Sequence, residues 1–422
     1  MQQQKPLFHL AALACYCVLA LLLTWPLALH WNRAVVGGAA NSSFTYFGEG
    51  DAALNIWNIW WLPHALARGE NPFWSDLLYY PEGVQLYVQT FTPANALLVL
   101  PITLLAGPLA AYNSAVLLAF TLTGYSAFLL ARAVLATTKQ PGPLDGFAIP
   151  LLCGALFTAA PSHVLKAQVN QLNLVAMQCL PLFALALWAV FRQRNWRSAV
   201  WFAAAMLLVL LTDWYWLLIC IFAGSLWAAL SFVGEAHPRA LFIAYLRAAV
   251  VALLAISPLL FGVAAVRERL PQNDIRSDAV WAGYIEGFSA DALALIFPNV
   301  LHPLWGSWMQ RWLLPPGNGY APDGWYIAAG WTLLACAAIG VATSWRLHWR
   351  LLVVGGAAWL LALGPSLQIA GYRTGIPLPY LLLQELPGMS IARRPAIFAV
   401  ICIVIALMFA ARGVQALCSR VA

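Results

Sequence analysis

Charge is what this sequence has least of. Of 422 residues, only 9% are Asp, Glu, Lys or Arg, while 63% are apolar. A soluble domain needs roughly a quarter charged residues to cover its surface. A water-soluble globule is therefore excluded, and lipid is the solvent that fits. Cysteine chemistry is also thin. The eight Cys include no CxxC pair, and Cys15, Cys17, Cys153, Cys179, Cys220, Cys336 and Cys402 lie inside apolar stretches. A thiol there packs as a small hydrophobe, which argues against a disulfide framework and a cysteine metal site. There is no Walker A loop, HExxH, GxSxG or kinase signature. The Lys and Arg residues form no single stripe, so the net charge of +7 does not point to nucleic acid. Few charges fall within the apolar runs, which argues against an ion-coupled pump.

What is present is a series of long apolar runs and 21 Trp, a residue that collects at membrane–water boundaries. Crossing ~30 Å of hydrocarbon takes about 20 helical residues. On that basis the sequence predicts an all-α polytopic membrane protein with about ten transmembrane helices and two large outer loops carrying interfacial helices. The spans fall near 7–30, 110–131, 147–161, 172–191, 198–212, 214–233, 240–263, 326–343, 351–369 and 396–412. The first reads as an uncleaved signal-anchor, too long for the ~7–15-residue core of a signal peptide. The stretch 94–106, interrupted by Pro101 and ended by Gly107-Pro108, reads as a re-entrant or interfacial half-helix.

Charge placement orients the chain. With the N-terminus inside, the inner segments carry 12 basic residues against two acidic ones, Asp145 and Glu235. The outer segments carry ten basic and 13 acidic residues. This is the positive-inside distribution. It implies a multi-pass protein with a cytoplasmic N-terminus, in a bacterial inner or plasma membrane. Three regions follow: a transmembrane core over 1–263 that includes a first outer loop at 31–93, a second large outer loop at 264–325, and C-terminal membrane helices over 326–422. Long connections of this kind are more often functional than idle.

The first outer loop contains Gly48-Glu49-Gly50-Asp51-Ala52, followed by a helical run over 52–67. Asp51, Asn55 and Asn58 share one face of it. Ile56, Trp57, Ile59, Trp60 and Trp61 cover much of the rest. The pattern predicts a helix lying in the membrane surface, its aromatic side in lipid, holding Asp51 at headgroup level. Asp51 also stands where a helix N-cap belongs, and both roles are compatible. The turn between the third and fourth spans, Pro161-Ser162-His163-Val164-Leu165-Lys166 with Gln168, Asn170, Gln171 and Asn173, is densely polar beside a membrane span. Such a cluster is costly unless it is solvated or bound. His163 and Lys166 are candidates for holding a phosphate; an ordinary wet loop with a snorkelling Lys is the plainer alternative. Asp213, between two spans, is a candidate of the same kind. The second outer loop carries Arg267, Glu268, Arg269, Asp274, Arg276, Asp278, Glu286 and Asp291. Arg393-Arg394-Pro395 opens the last span from the outer side, against the charge rule, and guanidinium grips phosphate oxygens bidentately.

These features together resemble the GT-C class of membrane glycosyltransferases, in the branch of protein O-mannosyltransferases and lipid A aminoarabinose transferases. The resemblance rests on the inner N-terminus, on Glu49 and Asp51 early in the first outer loop, and on the surface helix after them. A second large outer loop after the seventh span, PSHVLKAQVNQ and the late RRP motif add to it. It implies a sugar donor carried on a polyprenyl phosphate and an acceptor that is a glycan, lipid or protein. It implies Asp51, with Glu49, as the catalytic acidic group, and His163, Lys166, Arg393, Arg394 and Asn55 as residues that bind the donor and its phosphate. A divalent metal is left open, because the spacing is Glu49-x-Asp51 and not the DxD of the metal-dependent members. No other cofactor is implied. The rival readings are a transporter or lipid flippase, which predicts inverted repeats with broken helices, and a non-catalytic membrane subunit.

Overall fold

The computed structural model describes residues 6–37, 50–87, 89–138, 142–267, 285–298, 302, 304–313, 325–384 and 393–421. Glu49, and Glu268 through Asp278 of the mixed-charge run, lie outside them. The described chain is predominantly helical: α1 Pro6–Leu23, α2 Gly50–Ala67, α3 Pro93–Leu98, α4 Leu100–Ala106, α5 Pro108–Leu135, α6 Ala148–Thr158, α7 Pro161–Gln168, α8 Leu172–Val175, α9 Cys179–Gln193, α10 Trp196–Thr212, α11 Trp214–Ser231, α12 Pro238–Arg267, α13 Gly306–Leu313, α14 Trp331–Ala362, α15 Tyr380–Gln384 and α16 Ala399–Val421. Two small antiparallel hairpins accompany them, β1 Trp74–Ser75 with β2 Val84–Gln85, and β3 Ser366–Ile369 with β4 Tyr372–Pro377.

Among the described residues, five helical stretches are long and apolar enough to cross a membrane: Pro6–Leu23, Pro108–Leu135, Trp214–Ser231, Pro238–Val266 and Pro395–Ser419. α6 and α7, bent by 44° at their junction, make a sixth if they form one span. Cys179–Gln193, Trp196–Thr212 and His348–Ala362 are apolar but shorter. The chain is a multi-pass, mainly helical membrane protein. In α1 and the span of α12 only 17% of the apolar window is buried by protein, so Leu7, Leu10, Leu253, Leu254 and Phe261 must be covered by lipid. α5 and the last span are 72% and 83% buried and are interior.

The chain forms two compact units that interleave along the sequence, unlike the contiguous regions expected from it. The first comprises 1–126, 163–217 and 236–272; the second comprises 127–162, 218–235 and 273–422. In the first unit, α2 is embedded in protein. Ile59, Trp61, Leu62 and Ala65 are buried against Phe91, Ala96, Val99, Tyr112, Ala115 and Phe120. A helix with all these aromatics in lipid is therefore corrected: Trp61 is core, its indole donates to Pro72 O at 2.9 Å, and Trp57 stacks on it. The half-helix at 94–106 is α3 and α4, joined at Val99, whose backbone leaves helical geometry (φ −103°, ψ 10°).

In the second unit, α14 folds back on itself. Ala290 N donates to Ala362 O at 2.8 Å, and Ala329 N donates to Leu295 O at 3.1 Å. The five residues from 290 to 295 reach at most ~18 Å, whereas a straight helix from 329 to 362 would extend ~50 Å. The reversal falls at His348, whose backbone (φ −120°, ψ 22°) is non-helical. The two limbs correspond to the runs read as 326–343 and 351–369. The second limb ends earlier than expected, at Ala362. Gly364 there takes φ +76°, Pro365 follows, and 366–369 is strand. Gly340 and Gly413 let α14 and α16 meet backbone to backbone: a Cβ on Gly340 would lie 1.9 Å from Phe409 O, and one on Gly413 would lie 1.9 Å from Cys336 O.

Candidate functional site

Asp51 sits in the first turn of α2, half-buried in the first unit. One helical turn later, Asn55 is fully buried. Its side-chain amide donates to Asp51 O at 2.8 Å and to Asn170 O at 3.2 Å. Asn170 takes a left-handed backbone (φ +60°), which Asn tolerates better than most residues. Its side-chain carbonyl accepts the Tyr112 hydroxyl at 3.2 Å. The Asp51 charge is within electrostatic reach of that hydroxyl. α2, the start of α5 and the turn after α7 therefore meet at Asp51. Asn58, on the same face, donates to Thr90 O at 2.6 Å. Both asparagines thus carry the polar face inward, and each reaches a backbone carbonyl outside α2, Asn170 O and Thr90 O.

The incoming chain is fixed to the same place. Asn113 donates to both Trp31 O and Ala34 O at 2.7 Å. Gly37 lies so close to α7 that a Cβ would stand 2.1 Å from Gln168 O. Lys166 is half-buried on α7, and its carbonyl accepts Gln171 N at 3.0 Å, which ties it to the Asn170–Gln171 turn.

His163 is a correction. It is completely buried, its Nε2–H donates to Val175 O at 2.8 Å, and its ring packs 4.4 Å from Phe120. It ties α7 to the end of α8 and cannot present itself to a bound phosphate in this arrangement. Asp213 also has a defined task. It caps α11 by accepting Tyr215 N at 2.7 Å, and its other oxygen accepts the Asn173 amide at 2.7 Å. Trp216 Nε1 donates to Asn173 O at 3.0 Å. This network holds the segment that follows Asn170 and Gln171.

Arg393 and Arg394 belong to the second unit and are half-buried. The Arg394 guanidinium lies 4.6 Å over the Phe288 ring, and Ala396 N donates to Phe288 O at 3.0 Å. The segment 285–295 is docked there on the β3–β4 hairpin. Glu286 pairs with Arg373 at 2.7 Å, and Asp291, buried, accepts Leu293 N at 2.9 Å and Gly371 N at 2.7 Å. Burial pushes the Asp291 carboxyl above its ordinary range despite those backbone donors.

Among the described residues, no group of three or more His, Cys, Asp or Glu side chains could hold a metal ion. The residues that sequence reading overlooked here are Tyr112 and Asn113. A polar Tyr112-Asn113-Ser114 triplet opening an apolar run was the available signal. No family model matches the chain, and no curated protein matches it either.

Proposed function

We propose that this chain is a membrane glycosyltransferase that moves a sugar from a polyprenyl-phosphate donor to an acceptor on the outer face of a bacterial membrane. Its N-terminus is cytoplasmic, and the shorter apolar helices join the longer ones to give about ten spans. The supporting observation is the meeting of two motifs 115 residues apart in sequence: Asn55, one turn from Asp51, donates to Asn170 of PSHVLKAQVNQ. In this reading Asp51, with Glu49 beside it in sequence, accepts the proton of the acceptor hydroxyl or amine as that atom attacks the anomeric carbon. The bond from that carbon to the phosphate oxygen breaks, and the phosphate leaves with the electron pair. Lys166 supplies positive charge near the turn for the departing phosphate. Arg393 and Arg394 offer bidentate phosphate contacts in the second unit.

The test is release of polyprenyl phosphate from a radiolabelled polyprenyl-phosphate sugar by the purified protein with membrane extract as acceptor source. Asp51→Asn keeps the capping ability and should lower turnover by roughly 100-fold or more. Full turnover in Asp51→Asn would remove Asp51 from catalysis.

A further inference from the structure

The turn between β1 and β2 carries the two most exposed aromatic side chains among the described residues of the first unit, Tyr79 at 78% and Tyr80 at 82%. The segment that bears them is fastened at both ends. β1 and β2 pair beneath the turn, Leu86 N donates to Phe73 O at 2.7 Å, and Trp61 of α2 holds Pro72 O. On the returning limb, Tyr87 stacks on Phe73 with centroids 4.4 Å apart, and its carbonyl accepts Trp214 Nε1 at 2.9 Å. The Tyr87 ring lies so close to α12 that a Cβ on Gly262 would stand 2.2 Å from it. Within the turn, Gly83 N donates to Tyr79 O at 3.1 Å, and Tyr79 keeps a left-handed backbone (φ +55°), uncommon for a bulky residue. A rigid scaffold thus presents both rings.

The charge around the rings selects the occupant. Asp76 and Glu82, on either side of the tyrosines in sequence, are exposed, and residues 69–131 contain no Lys or Arg. An aromatic surface that binds headgroups uses basic residues to do so, and carboxylates repel anionic lipid. A cationic ligand is held by rings that close around it, whereas these two side chains stand open. Open phenol rings flanked by carboxylates suit an uncharged, polyhydroxylated ligand. The C–H face of a sugar ring packs on an aromatic face, and its hydroxyls donate to carboxylate oxygens.

We infer that the Tyr79–Tyr80 turn is a carbohydrate-docking platform and that the acceptor is a glycan, its rings stacked on the two tyrosines and its hydroxyls bonded to Asp76 and Glu82. α2 joins this platform to the candidate base: Asp51 lies in its first turn, while Asn58 and Trp61 hold Thr90 O and Pro72 O at the two ends of the platform segment. The role of acceptor rests on the transferase reading; the binding of carbohydrate does not.

The test applies the full chain, in phosphatidylcholine nanodiscs free of glycoside detergent, to an array of neutral bacterial envelope oligosaccharides. At least one should bind, and its affinity in solution should fall roughly tenfold in Tyr79→Asn and in Tyr80→Ala. Asn keeps the left-handed backbone at 79 while removing the ring, and Tyr80→Trp should retain binding. Unfolding midpoints equal to that of the parent chain show that each variant is folded. Binding to no oligosaccharide, or binding that neither ring removal weakens, would overturn the platform. Glycan binding without sugar transfer would keep the platform and discard the enzyme. Transfer to a lipid or protein acceptor, unaffected by both substitutions, would keep the enzyme and discard the platform.

Discussion

Adding one methyl group at Gly413 tests the closest helix contact in the second unit. The new Cβ would lie 1.9 Å from Cys336 O and 2.9 Å from Gly340 N, where ordinary contact begins near 3.4 Å. Both obstacles are backbone, so neither can swing aside. α14 and α16 must separate by about 1.5 Å to admit the methyl. A gap of 0.5–1 Å already forfeits a quarter to a half of each ~0.1–0.2 kcal/mol atomic contact. Over some tens of atom pairs in this interface, the loss is about 2–4 kcal/mol. Alanine returns about 1 kcal/mol of helix propensity, so the net effect is about 1–3 kcal/mol of destabilisation. Gly356→Ala, on the partner helix α14 with nothing within 4 Å of its Cβ, is the internal control and should be neutral or stabilising. Thermal unfolding in detergent, followed by size-exclusion, decides the matter. A Gly413→Ala protein as stable as Gly356→Ala would refute backbone contact as the feature that holds these helices together.

Asp213→Ala removes the cap of α11 and strands the buried Asn173 amide. It should cost about 2–4 kcal/mol, read as a lowered unfolding midpoint in detergent. Asp291 gives a pH dependence. Its folded carboxyl titrates above its unfolded value, so its ionisation penalty is absent below the unfolded pKa and grows as pH rises towards the folded one. Stability should fall over that interval, and Asp291→Asn should flatten the fall; an unchanged slope in the variant would exclude Asp291 as its source. Arg393→Lys and Arg394→Lys keep charge but lose the planar fork. If they clamp the donor phosphate, the double variant should bind donor measurably more weakly in a fixed lipid mixture, whereas equal affinity would assign the pair to ordinary headgroups.

Hydropathy made the apolar runs visible, and with them the membrane-helical class. It located α5, α10, α11, α12 and the turn region between the limbs of α14 to within a few residues. It could not orient α2. Apolar and aromatic residues cover most of that helix, so no single face is marked for lipid, and the three-residue polar face proved to be the one locked into protein. The sequence signal at Gly364-Pro365 was legible as a helix stop but was overrun by the apolar residues on either side. His163 illustrates a different limit. Whether a histidine beside a lysine meets a ligand or a carbonyl depends on where Val175 and Phe120 arrive, and spacing does not encode that. The same holds for Asn55 and Asn170, whose contact no local pattern announces.

That long-range contact also sets an order of assembly. Asn55 has its partner 115 residues downstream, and synthesis proceeds at ≈5–20 residues per second. For roughly 6–23 s, α2 exists without the Asn170 carbonyl, and Asn113, the partner of Trp31 and Ala34, is made about half-way through that interval. The partner of the loop entrance is therefore synthesised before the partner of the end bearing Asp51. Any slowing of translation between α5 and α8 lengthens the interval in which Asn55 is open to the wrong partner, and that interval is where insertion factors have the most to protect.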